Sequence, residues 1–269
     1  MEPLAVPNPF PGAACFLVRE TDSTMLEALS LARLGLPPGS LVAADFQRSG
    51  RGRLGGRRWE SEPGANLLCT IRLAPEAAAL PALPLRIGAV LCATATLYAI
   101  RSNAVLRCPP SLKWPNDLLF RGRKAAGTVC ESKPAGEEAG LYVGIGVNCN
   151  QTAFPTSIAA ASTSLAAELG VPIDRWLFLE LFLDLLAGEL ARHSWKKAVE
   201  DRLWMRGERV RFLPGLGAAG EVRLSATEGA VTGLLEGVDD EGSLLIRMPG
   251  EAGLRAFASG ELTAAPELS

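Results

Sequence analysis

The chain has 269 residues, with 27 lysines and arginines against 29 aspartates and glutamates, a single histidine and a formal net charge of −2. That balance excludes the broad basic surface of a nucleic-acid coat, and 48% hydrophobic with 21% charged residues excludes a disordered chain. The length suits one large domain, or a large and a small one, around a buried core. Six cysteines, at 15, 69, 92, 108, 130 and 149, form no CxxC pair and no Cys/His cluster that encloses zinc. They are expected to be reduced, structural thiols of a cytoplasmic protein.

Residues 1–12 carry Pro3, Pro7, Pro9 and Pro11, which predicts an extended Pro-rich tail, and they lack a basic and then apolar leader. Residues 13–204 are expected to form the main domain and residues 205–269 a small β-rich one. The spacing from Thr24 to Glu27 predicts a capping box opening a helix that Gly35 and Pro37 stop. Residues 41–44 form a short apolar run that reads as a strand.

Residues 48–58 then read Arg-Ser-Gly-Arg-Gly-Arg-Leu-Gly-Gly-Arg-Arg, closed by Trp59. Five arginines and four glycines with no acid make a backbone that can approach a polyanion and supply forked donors to phosphate oxygens. Composition alone equally fits a solvated basic linker. On a mildly acidic chain such a loop is a local exception, which favours a site.

Residues 67–73 alternate Leu67, Cys69, Ile71 and Leu73 with Thr70 and Arg72, the period of a strand. Residues 83–100 read as a buried helix. Their longest uncharged apolar run, residues 87–100, falls short of the roughly 18 needed for a membrane span. Two strands are expected at 112–120 and 127–130, joined at the basic turn Arg121-Gly122-Arg123-Lys124, and a further strand at 141–147. Helices are expected at 164–169 and along 174–199, the latter carrying Glu180, Asp184, Arg192 and His193. After Trp204 short β-like runs follow at 208–213, 231–238, 243–248 and 254–258.

Two further groups of residues bear on chemistry. In Lys113-Trp114-Pro115-Asn116-Asp117 the proline must bulge or break the strand, which aims Asn116 and Asp117 out of the ladder, although the same letters also suit a plain turn. In Gly144-Ile145-Gly146-Val147-Asn148 the glycines point to close approach of a backbone or ligand. No nucleophile elbow accompanies the single histidine, and no Gly-x-x-x-x-Gly-Lys-Ser/Thr loop is present, which excludes a Ser-His-Asp triad and a P-loop NTPase.

Taken in order, Gly-Arg-Gly-Arg with Trp59, Lys-Trp-Pro-Asn-Asp with Lys124 and Gly127, and Gly-x-Gly-Val-Asn give a sequence that resembles the biotin-protein ligases from Thr21 to Leu262. Residues 21–24 and 45–47 match the biotin-pocket segments of that family. The chain departs from the family's pattern at the extra glycine of Gly55-Gly56, which leaves two candidates, Arg57 and Arg58, for one position, and at Met25, where asparagine is frequent. The resemblance implies an α/β (α+β) fold: a mixed-sheet catalytic domain similar to class II aminoacyl-tRNA synthetases and lipoate ligases, followed by a small SH3-like β-barrel.

It also implies a reaction in which biotin and Mg-ATP give biotinyl-adenylate, from which a lysine of a biotin carboxyl carrier protein takes the biotinyl group. On that resemblance Ser23, Thr24, Gln47, Arg51, Gly52, Arg53 and Lys124 bind biotin. Trp59, Lys113, Asn116 and Asn148 meet ATP, with Mg2+ as the expected cofactor and no resident metal site assigned. Lys124, Arg51, Arg53 and Asp117 are the catalytic candidates, and Asp117 would orient the incoming lysine amine or act as its base. A monomer or homodimer without DNA or membrane partners is expected, since the roughly twenty residues before Thr21 are too few for a helix-turn-helix domain. Lipoate ligation on the same fold, or a non-catalytic adenylate-binding module, are the alternatives.

Overall fold

The computed structural model describes residues 1–53, 58–215 and 229–265. Its elements in chain order begin with β1 (Glu2–Pro3), β2 (Cys15–Thr21), α1 (Thr24–Arg33), β3 (Leu41–Gln47), β4 (Leu67–Leu73) and α2 (Leu83–Arg101). There follow β5 (Ser111–Lys113), β6 (Asp117–Phe120), β7 (Arg123–Lys133), β8 (Gly140–Val147), α3 (Thr156–Ala159), α4 (Leu165–Leu169), α5 (Arg175–Leu190) and α6 (Lys196–Glu200). The last strands are β9 (Arg209–Pro214), β10 (Val231–Val238), β11 (Leu244–Arg247), β12 (Leu254–Phe257) and β13 (Gly260–Ala264).

The first eight strands make one mixed sheet in the order β1-β2-β3-β4-β8-β7-β6-β5, with β2 and β3 parallel and the other pairs antiparallel. Period-two alternation in β4 sends Leu67, Cys69, Ile71 and Leu73 to the face covered by α2 and α5, where all four are buried. The opposite face is covered by α1, so Thr70 is fully buried rather than exposed. Each Leu or Ile shut between sheet and helices contributes about 1.5–3 kcal/mol of burial.

By length and composition α2 alone among the described helices suffices to cross a membrane, which extends the shorter apolar run expected from sequence. Here it is a core helix, and its Arg86 is buried against Glu189 at 2.9 Å. Arg86 also explains why the helix expected along 174–199 is broken. Its Nη2 donates to the carbonyls of Glu189 and Arg192, capping the end of α5. The chain then turns at 191–195 before α6, so His193 lies in a bend and not on the long helix.

Other expectations shift for local reasons. The residues at 1–12 are extended but not a free tail, because β1 pairs with β2 and Val6 is buried. The cap of α1 is Ser23, whose Oγ accepts from Met25 N at 3.3 Å, while Glu27 accepts from Thr21 Oγ1 and Thr24 sits inside the first turn. Residues 112–120 are two strands, interrupted at the cis Trp114–Pro115 peptide; the break takes Asn116 out of the ladder, but Asp117, expected outside it, pairs with Lys113 and Gly127.

The last five strands make a second, antiparallel sheet in the order β12-β11-β10-β9-β13. It includes β13, missed in the sequence, and among the described residues its ladder is open rather than closed into a barrel. Its buried face continues the hydrophobic core of the first sheet. Trp114 stacks edge-on against Phe212 at 5.8 Å and donates its indole N–H to the Gly242 carbonyl at 2.9 Å.

Candidate active site

A cavity of about 190 Å3 lies between α1 and the centre of the first sheet. Thr24 donates to Gln47 Oε1 twice, from N at 2.7 Å and from Oγ1 at 3.0 Å, and Thr70 Oγ1 lies 2.9 Å from the Thr24 hydroxyl. With the Thr24 proton given to Gln47, Thr70 is the donor to Thr24. Two donors on Oε1 fix the carboxamide and leave the Gln47 NH2 as its remaining donor group, and Gln47 and Ser23 both line the cavity.

The glycines of β8 form the floor. A Cβ at Gly146 would stand 2.6 Å from Trp59 Cε2, so the missing side chain lets the indole lie on the sheet. At Gly144 a Cβ would stand 3.2 Å from Met25 Cε, which places Met25 over the other end of the floor.

The two described ends of the Arg/Gly loop are joined to each other. Arg51 and Arg58 form an antiparallel bridge, Trp59 N donates to the Gly50 carbonyl at 3.0 Å, and Arg58 Nη2 donates to the Arg48 carbonyl at 2.7 Å. Arg48 points to the surface, paired with Glu20 and Asp22, so Asp22 is not in the pocket. Asp45 likewise faces away, paired with Arg175 at 3.0 Å. Arg51, Gly52 and Arg53 line the cavity, and Arg53 Nη2 donates to the Gly260 carbonyl at 3.1 Å, reaching the second sheet. Gly55, Gly56 and Arg57 lie outside the described residues.

Lys124 owes its place to a bulge. Asp117 pairs with Gly127 and Leu118 with Ala126, but Leu119 pairs with Lys124, leaving Ala125 as an extra residue. Ala125 and Ala126 are both in the core, so Lys124 and Gly127, three residues apart, share the opposite face. Lys124 Nζ stands 2.7 Å from Asp117 Oδ1 and 5.5 Å from the Trp59 ring centroid.

The absent side chain at Gly127 is used within the chain itself and is not kept for a ligand alone. Gly127 makes room for the Lys124 ammonium itself, since a Cβ there would lie 2.9 Å from Cε and Nζ. Nor is Lys124 a hairpin residue; it is the second residue of β7, with Arg121 and Gly122 in the turn at positive φ.

Two more cavities, of about 650 and 130 Å3, open from the same spot, and Trp59 and Lys124 line all three. Lys113, with its Nζ 5.8 Å from the Trp204 ring centroid, lines both of these, whereas Asn148 lines the larger and Asn116 the smaller. The two asparagines are buried and committed through Nδ2, Asn116 to the Thr128 carbonyl and Asn148 to the Thr163 carbonyl at 3.0 Å.

Sequence reasoning missed Thr70, Phe154, Ile158, Trp204 and Glu261, all of which line one of these cavities. Thr70 had a signal, a hydroxyl within an apolar strand, and so had Phe154, an aromatic residue in the polar stretch after Asn148. Trp114, by contrast, sits in the core. All six cysteines are free, and burial pushes the Cys92, Cys130 and Cys149 thiols up to about 12 from 9.0.

The site is thus a glycine-floored pocket in a mixed sheet, lined by Arg51 and Arg53 and sharing Lys124 with a larger cavity. The model of the biotin/lipoate A/B protein ligase family matches residues 17–148. A biotin--[acetyl-CoA-carboxylase] ligase from Paracoccus denitrificans is 35% identical over 255 residues, 91% of this chain and 98% of the relative. One from Mycobacterium tuberculosis is 31% identical, over 87% of this chain and 83% of its own. Among solved structures, the biotin protein ligase from Aquifex aeolicus in complex with biotin and ATP superimposes with a TM-score of 0.73 at 31% identity, covering 93% of this chain and 97% of that one. The chain belongs to the biotin protein ligase family.

Proposed function

We infer that the chain catalyses ATP-dependent attachment of biotin to a lysine of a biotin carboxyl carrier protein, through biotinyl-5'-adenylate. The observation that carries this is the position of Lys124, one cation bordering the small pocket of Ser23, Thr24 and Gln47 on one side and the large cavity of Asn148 and Phe154 on the other. Adenylation brings the biotin carboxylate against the α-phosphate of ATP. A bond forms from carboxylate oxygen to phosphorus and pyrophosphate leaves. A fixed cation between the reacting anions offsets their repulsion and stabilises charge as it builds.

Gln47 NH2, Ser23 and Thr24 are assigned to the polar ring system of biotin, and the Trp59 ring to the wall between biotin and nucleotide. Arg51, Gly52 and Arg53 close over the adenylate and shield it from water. Lys113 and Asn148 meet the nucleotide, and Asn116 borders its path. The Nδ2 commitments of the two asparagines leave their Oδ1 atoms as hard oxygen acceptors, which suits Mg2+ carried on ATP. Bound there, the metal neutralises phosphate charge.

In the second half-reaction the carrier lysine amine attacks the acyl carbonyl and AMP leaves. Asp117, paired with Lys124, is assigned to orient that amine and accept its proton. Residues 13–204 supply this chemistry, and of residues 205–269 the described strands pack against them and contribute Glu261 to the cavity rim. A cytoplasmic monomer or homodimer fits the reading.

ATP–pyrophosphate exchange with biotin, lipoate and octanoate run side by side tests it. Exchange with biotin alone is expected. Exchange driven by lipoate would replace this reading with lipoate ligation, and biotin binding without exchange would favour an adenylate-binding module.

A further inference from the structure

Glu168 is 5% exposed, a buried carboxylate with no part in the chemistry assigned above. Its Oε1 accepts from Thr163 Oγ1 at 2.7 Å and from Arg123 Nη2 at 2.6 Å. Those two partners flank Lys124. Arg123 precedes it in β7, and Thr163 N donates to the Lys124 carbonyl at 2.9 Å. From the same segment, the Ala161 carbonyl accepts from Lys124 N at 2.7 Å. The main chain of Lys124 is thus held from outside by residues 161–163, which form a parallel bridge to it without being a strand.

A carboxylate withdrawn from water persists only with hydrogen bonds and opposite charge around it. An apolar residue would fill the inner face of α4 without that requirement. What the acid adds is a tie between the bridge segment and the start of β7, on both sides of one lysine. The segment also borders the larger cavity through Ala161 and Ser162, so one stretch of chain sets both the wall of that cavity and the place of the cation.

We propose that Glu168 is a positioning residue for adenylation: through Thr163 and Arg123 it holds residues 161–163 against the Lys124 main chain and so fixes where the Lys124 ammonium stands. This rests on the role given to Lys124 under Proposed function. Displacement of a reacting group by a fraction of an ångström to an ångström costs rate more than ground-state binding.

Biotin-dependent ATP–pyrophosphate exchange by the full-length chain tests it in a double-mutant cycle of Glu168→Gln with Lys124→Gln. Glu168→Gln keeps the volume and removes the charge. It is expected to lower kcat about tenfold or more while changing KM for biotin by less than about threefold. In the Lys124→Gln background it should add no further loss, because its effect passes through that lysine. Thr163→Val deletes the single Thr163–Glu168 bond and should give the same pattern, and it carries the cycle if Glu168→Gln does not fold. An equal loss with and without Lys124, or parental exchange in both Glu168→Gln and Thr163→Val, overturns the proposal. A parent inert with biotin overturns the reading of the site together with the brace, whereas an active parent with insensitive variants overturns the brace alone.

Discussion

Gly127 vacates the space that the Lys124 ammonium fills: a Cβ added there would stand 2.9 Å from Lys124 Nζ and 3.0 Å from Asp117 Oδ1. One methyl group therefore tests the ion pair with both partners unsubstituted. Gly127→Ala should fold, because Lys124 has the rotamer freedom to move aside, but it displaces the cation from Asp117. We expect biotin-dependent adenylation to fall about tenfold or more with a thermal midpoint near that of the parent. Parental adenylation by Gly127→Ala would mean that the position of the ammonium does not matter.

Arg51 and Arg53 differ in what holds them. Arg53 donates to the Gly260 carbonyl across to the second sheet, whereas Arg51 is exposed on the rim of the small cavity and, among the described residues, is bridged to Arg58. Arg51→Ala should fold normally and release biotinyl-adenylate, read as labelling of bystander lysines on an added protein. Retention of the adenylate as tight as in the parent would remove the loop's role as a lid.

The Arg86–Glu189 pair predicts a stability effect remote from the site. Both side chains are shut in the core and Arg86 also caps the end of α5. Arg86→Met leaves a buried carboxylate and two uncapped carbonyls, and breaking such a pair costs about 3–5 kcal/mol. Urea unfolding should show a loss of that size, and a loss near zero would contradict the capping role.

Burial that raises the Cys92, Cys130 and Cys149 thiols to about 12 favours their protonated form in the folded chain. The sign follows directly. Their contribution to stability is complete below pH 9, the ordinary value, and is lost as pH rises towards 12. Burial keeps these thiols protonated at pH 8, so alkylation in the native chain should be at least about a hundredfold slower than in urea. Site-resolved mass spectrometry checks this, and comparable native and unfolded rates would contradict it.

Much of this was legible in the sequence where a single periodicity decides the outcome. The alternation at 67–73, the apolar helix read at 83–100 and found at Leu83–Arg101, and the break enforced by Pro115 each depend on near neighbours. The candidate residues Ser23, Gln47, Arg51 and Lys124 also meet in one cavity. What escaped depends on partners far along the chain. The end of α5 is set by Arg86, more than a hundred residues earlier. The role of Trp114 is set by Phe212 and Gly242, and Glu261, on β13, reaches the site only because the sheets pack together. The bulge at Ala125, which puts Lys124 on the face of Gly127, has no signature within its own segment.

Lys124→Gln, followed through the two half-reactions separately, tests the role of that lysine most directly. Removing one electrostatic donor to a developing charge costs about a hundredfold to a thousandfold in rate. Single-turnover formation of biotinyl-adenylate at saturating biotin and ATP should fall by that factor, while transfer from preformed biotinyl-adenylate to a carrier domain should change far less. Adenylate formation at the parental rate by Lys124→Gln would contradict the assignment of this lysine to the meeting point of biotin and ATP.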